Sequence, residues 1–184
     1  MHNFREYVND VSVMLDSITS LDQIDLLVDS LQTTFSRAGK AIFFGNGGSA
    51  AEASHLAAEF LGKCQQNHVP RAALSLSDNT SAVTAISNDW AFESIYERQI
   101  QALCREEDFV VGLSTSGKSE NVLRGLRQAK RIGAFTSLWT SGSLETIPEL
   151  VDVVIVAPTK RTHHAQEFHL MLGHYLALKI ESHV

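Results

Sequence analysis

The hydrophobic positions divide this chain into segments of two kinds. Short runs of apolar, branched or aromatic residues have the length and composition of buried β-strands. There are five of them, at residues 41–44, 72–76, 108–114, 135–139 and 151–157. Elsewhere apolar residues recur every three or four positions, the spacing that predicts amphipathic helices. These helical patterns cover residues 4–18, 21–38, 49–62, 80–88, 91–104, 119–132 and 164–182.

The alternation of strands and helices predicts an α/β fold. Strand–helix–strand units are right-handed and build a mostly parallel sheet that helices cover on both faces. The chain has no linker-like segment, so we expect a single domain over residues 1–184. Two helices precede the first strand, so this domain is expected to consist of an N-terminal helical arm (1–38) and an α/β core (39–184). Gly39 is expected to cap the second helix. Ligands of such sheets bind at the carboxyl ends of the strands, so functional residues are sought there.

The turn after the first strand is rich in glycine and leads into a helix. Its sequence, GNGGS (residues 45–49), permits unusual backbone conformations and can direct amide N–H groups toward an anion. It lacks the dinucleotide fingerprint G-x-G-x-x-G, because Ala50 stands at the position of the third glycine, and no Walker lysine follows. The turn is therefore either part of a ligand site or simply a tight connection between a strand and a helix.

The segment after the third strand is the strongest candidate for a phosphate site. It reads STSGKS, and Gly117 lets the chain turn before the next helix. Four of its residues carry hydroxyl groups: Ser114, Thr115, Ser116 and Ser119. Hydroxyls together with helix N-terminal amides can surround a phosphate monoester. Capping of the helix by Ser116 or Ser119 is the alternative, but a cap needs only one hydroxyl.

Two helices carry residues suited to proton transfer or metal binding. In the helix after the glycine turn, His55 and Glu59 are four residues apart and share one face. The other residues of that face are small, which leaves room for a ligand, although a solvated ion pair is the common alternative. In the last helix, His174 is seven residues from Glu167 and eight from Gln166, and either of these pairs could converge on one pocket. His169 of the same helix is most simply interpreted as a structural histidine.

Composition narrows the class of protein. A length of 184 residues fits one domain with a substantial core, and 44% hydrophobic and 20% charged residues are ordinary values for a globular protein. The net charge of −6 disfavours a nucleic-acid partner. Cys64 and Cys104 have no motif spacing and fit a reducing cytosol. The N terminus has no signal-peptide core, and no apolar run approaches the ~20 residues of a membrane span, so we expect a cytoplasmic protein without a membrane partner.

Four segments of the chain are distinctive as a set. They are GNGGSAAEASHLAAEFLGK, TSAVTAISNDWAFESIYERQI, VVGLSTSGKSENVLRGL and RTHHAQEFHLMLGHYLALKIE, and they cover most of residues 41–182 in order. Together they resemble the sugar isomerase (SIS) family and, within it, the phosphoheptose isomerases. The resemblance implies a three-layer αβα sandwich, flavodoxin-like, with a five-stranded parallel sheet. It also implies a homotetramer with active sites at the subunit interfaces.

The same resemblance implies roles for individual residues. It places the sugar-phosphate substrate against Asn46, Gly47, Gly48, Ser49, Glu59, Asn79, Thr80, Ser114, Thr115, Ser116, Ser119 and Gln166. It implies one zinc ion per subunit, with the ligands His55, Glu59, Gln166 and His174, and an acid–base pair formed by Glu59 and His174. The implied reaction is the aldose–ketose isomerisation of D-sedoheptulose 7-phosphate to D-glycero-D-manno-heptose 7-phosphate through an enediol(ate), the first step of ADP- or GDP-heptose synthesis.

Four positions depart from the family pattern. Asn79 replaces an aspartate, Lys63 replaces an arginine, and the pair His163 and His164, which we expect to be exposed, replaces Ala-Arg. These departures leave the exact sugar open, so an isomerase of a different phosphosugar is one alternative. A second alternative is a non-catalytic SIS platform of the kind that associates with a replication initiator. Such proteins tend to lose the histidines and the glutamate of the predicted metal site, and this chain has them.

Overall fold

The computed structural model describes residues 3–142 and 150–182. Within these ranges the strands are β1 Ala41–Gly45, β2 Ala73–Ser75, β3 Phe109–Leu113, β4 Phe135–Thr140 and β5 Val153–Val156. The helices are α1 Phe4–Asp16, α2 Leu21–Ser36, α3 Gly48–Leu61, α4 Thr80–Asp89, α5 Ile95–Leu103, α6 Glu120–Ile132 and α7 Thr162–Glu181, with a short 3-10 turn at Phe92–Ser94. No helix in this described part combines the length and the apolar character that a membrane span requires.

The strands form one parallel sheet in the order β2-β1-β3-β4-β5. Ala41 of β1 lies between Ala73 of β2 and Phe109 of β3, so β1 is an inner strand. The chain moves from β1 outward to β2 and then crosses back to β3, which reverses the direction of winding at the boundary between β1 and β3. In sheets with this strand order the loops that leave such strands diverge, so we expect a ligand crevice at the carboxyl ends of β1 and β3. The predicted parallel sheet of flavodoxin-like order is confirmed.

Apolar side chains of the sheet pack against helices on both faces. Phe43 of β1 points into a core shared with α2, α3 and α7, whereas its neighbours Ile42 and Phe44 point into a core shared with α5 and α6. This alternation follows from the two-residue period of a strand. Leu31 of α2 and Leu56 of α3 are completely buried in the first core. The predicted three-layer sandwich is confirmed, while the division of the chain into an arm and a core stays a prediction.

The end of α2 differs from the expectation. Helix α2 ends at Ser36, and the left-handed backbone that follows is adopted by Ala38, with φ of 58°, rather than by Gly39. Gly39 lacks a side chain for another reason, because a Cβ atom there would collide with the carbonyl group of Glu107. The prediction that Gly39 caps α2 is therefore wrong. The helix predicted over residues 91–104 is also shorter, since it begins as the 3-10 turn before α5.

Helices α3 and α7 run side by side and pack closely along one line, which we name the α3–α7 seam. Three contacts follow one another along it: Gly48 with Gln166, Glu52 with His169, and Leu56 with Gly173. Both partners advance by about one helical turn from each contact to the next, so the two helices run parallel. A Cβ atom on Gly48 or Gly173 would collide with the opposing side chain. The seam therefore depends on glycine at both of its ends.

Replacing Gly173 with alanine tests how closely the seam is packed. The added methyl group would overlap the buried side chain of Leu56. The matched control is Gly125→Ala in the middle of α6, where the gain in helix propensity is the same but the nearest atoms would stand 3.0 Å away. We expect Gly173→Ala to lower the free energy of unfolding, measured with denaturant, by about 1–3 kcal/mol more than the control does. Equal stability of the two variants would contradict the close contact.

Candidate active site

The glycine turn after β1 lies where the crevice of the sheet opens. Gly47 has a φ of 56°, in the left-handed region that glycine tolerates, and α3 begins at the next residue. The carbonyl oxygen of Gly45 accepts hydrogen bonds from the hydroxyls of Tyr96 and Ser77, the latter at 3.2 Å. The buried Ser49 donates its backbone N–H to the carbonyl oxygen of Asn46 at 3.0 Å. These hydrogen bonds hold the backbone of the turn in place at Gly45 and at Asn46.

The side chain of Asn46 forms a reciprocal amide pair with Asn121. Asn46 Nδ2 donates to Asn121 Oδ1 at 2.9 Å, and Asn121 Nδ2 donates back to Asn46 Oδ1 at 2.8 Å. Asn121 is buried in the first turn of α6, and its Oδ1 also accepts the N–H of Val122 at 3.0 Å. The pair ties the turn after β1 to the helix that follows the serine-rich segment. Sequence reasoning missed Asn121, although its place beside the predicted phosphate loop was a signal.

The serine loop, residues 114–119, surrounds the N terminus of α6 with hydroxyl groups. Ser114 Oγ donates to Ser119 Oγ at 2.9 Å, and Ser116 Oγ lies 3.5 Å from Ser114 Oγ. Gly117, with φ of 67°, turns the chain and donates its N–H to the carbonyl oxygen of Ser114 at 2.8 Å. Lys118 donates its N–H to Ser116 Oγ at 3.2 Å. The hydroxyls of Ser114, Ser116 and Ser119 therefore form one connected cluster.

The alternative interpretation of this loop, that a hydroxyl caps α6, does not fit its contacts. Ser119 occupies the N-cap position, but its side chain makes no capping hydrogen bond and contacts Ser114 instead. Thr115 anchors the loop to the end of β4, because its carbonyl oxygen accepts from the N–H and the hydroxyl of Ser141 at 3.0 and 2.9 Å. The positive end of the α6 dipole is thus oriented toward the hydroxyl cluster, an arrangement that favours an anion.

A cluster of possible metal ligands bridges α3 and α7. One ligand atom each from His55, Glu59 and His174 lies within 4.8 Å of the others. The Nε2 atoms of His55 and His174 are 2.7 Å apart, and His55 Nε2 is 3.5 Å from Glu59 Oε1. His55 is exposed and the other two side chains are partly buried, so the cluster is open to a ligand. The structure thus brings together residues that are more than one hundred positions apart in sequence.

This donor set suits zinc. Imidazole nitrogen and carboxylate oxygen are common zinc ligands, and two ligands of a tetrahedral zinc ion at about 2.0–2.1 Å stand about 3.3 Å apart. The distance of 3.5 Å between His55 and Glu59 matches this spacing. The distance of 2.7 Å between the two histidines would have to widen by about half an ångström, which small side-chain rotations can supply. The residues present therefore fit the metal that the sequence predicts.

Gln166, the fourth predicted ligand, stands at the beginning of the seam. Its side-chain amide lies against Gly48, at the first residue of α3. It precedes His174 by two turns of α7, about 12 Å along the helix axis. The described cluster therefore contains three of the predicted ligands. Gln166 faces the glycine turn, where a substrate contact is also predicted, and both of its roles stay predictions.

Asn79 and Thr80 lie at the start of α4. Asn79 is the N-cap, and its Oδ1 accepts the N–H of Ala82 at 3.0 Å. Thr80 is exposed and begins the helix. The preceding Asp78 accepts a hydrogen bond from the hydroxyl of Ser54, which ties this segment to α3. The substitution of aspartate by Asn79 thus preserves a helix cap, and contact of these two residues with a substrate stays a prediction.

The two histidines at the start of α7 contact Tyr7 of α1. The Tyr7 hydroxyl donates to Glu167, and its ring stacks on His163 and meets His164 edge-on, with centroids 5.8 and 4.9 Å apart. His163 is exposed as expected, but His164 is only 2% exposed, so the expectation for His164 is wrong. Burial of His164 follows from the packing of α1 against this turn. These contacts hold the first turn of α7, which carries Gln166, in place.

Lys63, which replaces the family's arginine, is exposed directly after α3. The loop that follows it is fixed by the carboxylate of Glu181 near the end of α7. That carboxylate accepts hydrogen bonds from three successive backbone N–H groups, those of Cys64, Gln65 and Gln66. The backbone beside Lys63 is therefore held at the end of α3 opposite the glycine turn.

Comparisons with known proteins agree in identifying the family. The SIS domain family matches residues 6–140. Phosphoheptose isomerase of Aquifex aeolicus is 40% identical over 154 residues, 84% of this chain and 81% of that protein, and the Helicobacter pylori enzyme is 35% identical over 97% of this chain and 94% of its own. The structure of phosphoheptose isomerase from Neisseria gonorrhoeae has a TM-score of 0.86 at 32% identity, covering 97% of this chain and 95% of that one. The chain belongs to the SIS domain family, among the phosphoheptose isomerases, and it is an isomerase.

Proposed function

We propose that this chain isomerises D-sedoheptulose 7-phosphate to D-glycero-D-manno-heptose 7-phosphate, at the entry to ADP- or GDP-heptose synthesis. The observation that carries the proposal is the convergence of His55, Glu59 and His174 from two helices, in a chain whose serine loop follows a neighbouring strand. The names of the relatives at 35–43% identity support a heptose phosphate as the substrate.

The serine loop is proposed to hold the phosphate group. Its hydroxyls can donate to phosphate oxygens, and the N terminus of α6 adds backbone N–H groups and a favourable dipole. The glycine turn after β1 would then hold the sugar through Asn46 and Ser49. Asn79 and Thr80 are proposed to contact sugar hydroxyls farther along the chain. The substrate would therefore lie across the crevice between β1 and β3.

The chemistry moves the carbonyl group from C2 to C1. The Glu59 carboxylate abstracts a proton from C1, which leaves an enediolate, and the resulting carboxyl group returns the proton to C2. His174 transfers a proton from O1 to O2, so that the new aldehyde forms as the old carbonyl becomes a hydroxyl. A zinc ion held by His55, Glu59 and His174, with Gln166 turned from Gly48 toward it as the fourth ligand, would polarise the carbonyl oxygen and stabilise its developing negative charge.

Glu59 is proposed to have two roles, as a ligand and as a base, which its two carboxylate oxygens would share. A carboxylate has two oxygens, and Glu59 Oε1 is the one that lies 3.5 Å from His55 Nε2. The second oxygen can face the substrate while the first faces the cluster. Glu59 is partly buried in the α3 face that also presents His55. We therefore infer that one side chain orients the site and accepts the proton.

We also propose that the protein is a cytoplasmic homotetramer, with active sites at its interfaces and one zinc ion per subunit. Apolar side chains of α7 flank His174 and support this: Met171, Tyr175 and Leu178 are 42%, 39% and 37% exposed. A single chain leaves this apolar surface in water, next to an open ligand cluster. Contact with another subunit would cover the surface and enclose the cluster. The thiols of Cys64 and Cys104 are free, which fits a reducing compartment.

A different phosphosugar is the second candidate substrate. Asn79 favours it, because it changes the charge of a group near the proposed sugar site, whereas Lys63 departs from the family pattern at the other end of α3 from the glycine turn. Lysine cannot form the two parallel hydrogen bonds of an arginine, and asparagine lacks the charge of an aspartate. A non-catalytic SIS platform has less support, because His55, Glu59 and His174 remain together.

An NMR assay with a panel of ketose phosphates tests the substrate and the metal together. We expect sedoheptulose 7-phosphate to be converted with a higher kcat/KM than five- or six-carbon ketose phosphates, because the phosphate and the reacting carbons are bound at separate places. A chelator should abolish turnover, and added Zn²⁺ should restore it. Full activity in the chelated enzyme would contradict metal assistance, and preference for a shorter sugar would establish the second candidate.

The variant Glu59→Gln tests the assignment of the base. The amide keeps the shape of the side chain but cannot accept the proton from C1, so we expect kcat to fall by about 10²–10⁴-fold. The melting temperature of the metal-free protein and the affinity for inorganic phosphate should stay unchanged, because the fold and the serine loop are untouched. The control is Glu106→Gln, which changes an exposed residue just before β3, at the amino ends of the strands. A kcat within about tenfold of wild type would refute the role of Glu59.

The variant Ser119→Ala tests the phosphate site. Loss of one hydrogen bond to a charged group costs about 1.5–3 kcal/mol, so we expect the inhibition constant of inorganic phosphate and the KM of the substrate to rise by about tenfold or more. The control is Ser36→Ala, which removes an exposed hydroxyl that contacts only its own helix, α2. Unchanged phosphate inhibition in Ser119→Ala would show that the phosphate lies elsewhere.

A further inference from the structure

A buried polar pair stands in the middle of the α3–α7 seam. Glu52 is 4% exposed and His169 is completely buried, and His169 Nδ1 lies 3.7 Å from Glu52 Oε1. The surroundings are apolar, with the ring of Trp139 centred 6.0 Å from the imidazole and Leu56 one turn farther along α3. Neither residue has a part in the proposed reaction, and no sequence motif distinguishes Glu52.

The pair is expensive to bury. His169 Nδ1 and Glu52 Oε1 are too far apart for a hydrogen bond, and the polar groups that act on the pair are the Ser49 hydroxyl beside Glu52 and the Thr140 backbone beside His169. Both side chains are therefore buried with incomplete hydrogen bonding. Each such group typically costs about 1–3 kcal/mol. Burial raises the pKa of Glu52 to about 7, against the opposing influence of the Ser49 hydroxyl, and lowers the pKa of His169 to about 4, against that of the Thr140 backbone. His169 is therefore neutral at pH 7, so attraction between full charges does not explain the pair.

The position of the pair relates it to the candidate metal site. Glu52 precedes His55 by three residues and Glu59 by seven, so it lies on the same face of α3, two turns before the carboxylate. His169 precedes His174 by five residues on α7. Helices α3 and α7 are in contact at this pair. The candidate metal ligands follow the pair along each helix, His55 and Glu59 on α3 and His174 on α7. A shift of one helix along the other would change the distance between His55 and His174 directly.

We propose that Glu52 and His169 are positioning residues, which meet at only one register of the α3–α7 seam and so hold His55 and Glu59 at the distance from His174 that a divalent metal ion requires. Apolar side chains pack acceptably in several registers, whereas a buried polar group is tolerated only where its partner stands opposite. Buried polar pairs that set helix register at a cost in stability are known from coiled coils. The inference rests on the proposed metal site.

The double variant Glu52→Met/His169→Phe separates positioning from stability. It replaces both polar groups with apolar side chains of similar size, and such replacements of buried pairs are often neutral or stabilising. We expect a melting temperature equal to or above that of wild type, but a dissociation constant for Zn²⁺, measured by competition with a chromophoric chelator, that is at least about tenfold higher. A merely structural pair would leave the Zn²⁺ affinity of this stable variant unchanged, and that result would overturn the proposal.

Two single substitutions decide the question if the double variant does not fold. Glu52→Gln keeps a polar group of the same size opposite His169, so its dissociation constant for Zn²⁺ should stay within about threefold of wild type, whereas Glu52→Met should raise it about tenfold. Equal Zn²⁺ affinities for these two variants would also overturn the proposal. The control is Asp108→Asn, which breaks the ion pair of the buried Asp108 with Lys40 at the amino ends of β1 and β3. It should lower the melting temperature without changing Zn²⁺ affinity.

The wild-type measurement distinguishes failure of this inference from failure of the proposed metal site. Absence of Zn²⁺ binding to the wild-type protein would refute the metal site, and the positioning role with it. Tight binding by wild type together with equally tight binding by Glu52→Met/His169→Phe would refute the positioning role alone. Tight binding by wild type and weak binding by the stable double variant supports both.

Discussion

Helices α3 and α7 lie close together because glycine stands at both ends of their contact. Gly48 leaves room for Gln166, and Gly173 leaves room for Leu56. The parallel course of the helices then brings the imidazoles of His55 and His174 within 2.7 Å of each other. Neither helix carries enough ligands to hold a metal ion alone, so the candidate metal site exists only because of this packing.

The strand order supplies the second constraint, because it determines where the proposed phosphate site lies. The winding reverses between β1 and β3, and the loops that follow these neighbouring strands form the two walls of one crevice. One wall leads into α3 and its metal-site residues, and the other carries the serine loop at the N terminus of α6. The proposed division between reactive groups and phosphate-holding groups thus follows from the topology of the sheet.

The sequence predicted the architecture well, because its strands are buried on both faces and stand out as continuous apolar runs. Helical spacing alone identified His55 and Glu59 as candidate site residues, and the family resemblance added His174 to the same site. Contacts between distant residues were not accessible. Asn121 forms hydrogen bonds with Asn46, 75 positions away, and no local sequence pattern predicts such a contact. Glu52 is a carboxylate in an alanine-rich helix and has the local sequence pattern of a solvent-exposed residue. It is buried because α7 packs against α3.

The amide pair between Asn46 and Asn121 has a consequence for the substrate. Its two hydrogen bonds join the turn that is proposed to hold the sugar to the helix whose N terminus is proposed to hold the phosphate. The separation between these two binding regions is therefore set before any ligand arrives. A sugar phosphate that binds by its phosphate end reaches Glu59 and His174 with its carbonyl only if its carbon chain spans that separation. Under the proposed function, the amide pair makes carbon-chain length the first property by which the protein selects a sugar phosphate, before stereochemistry.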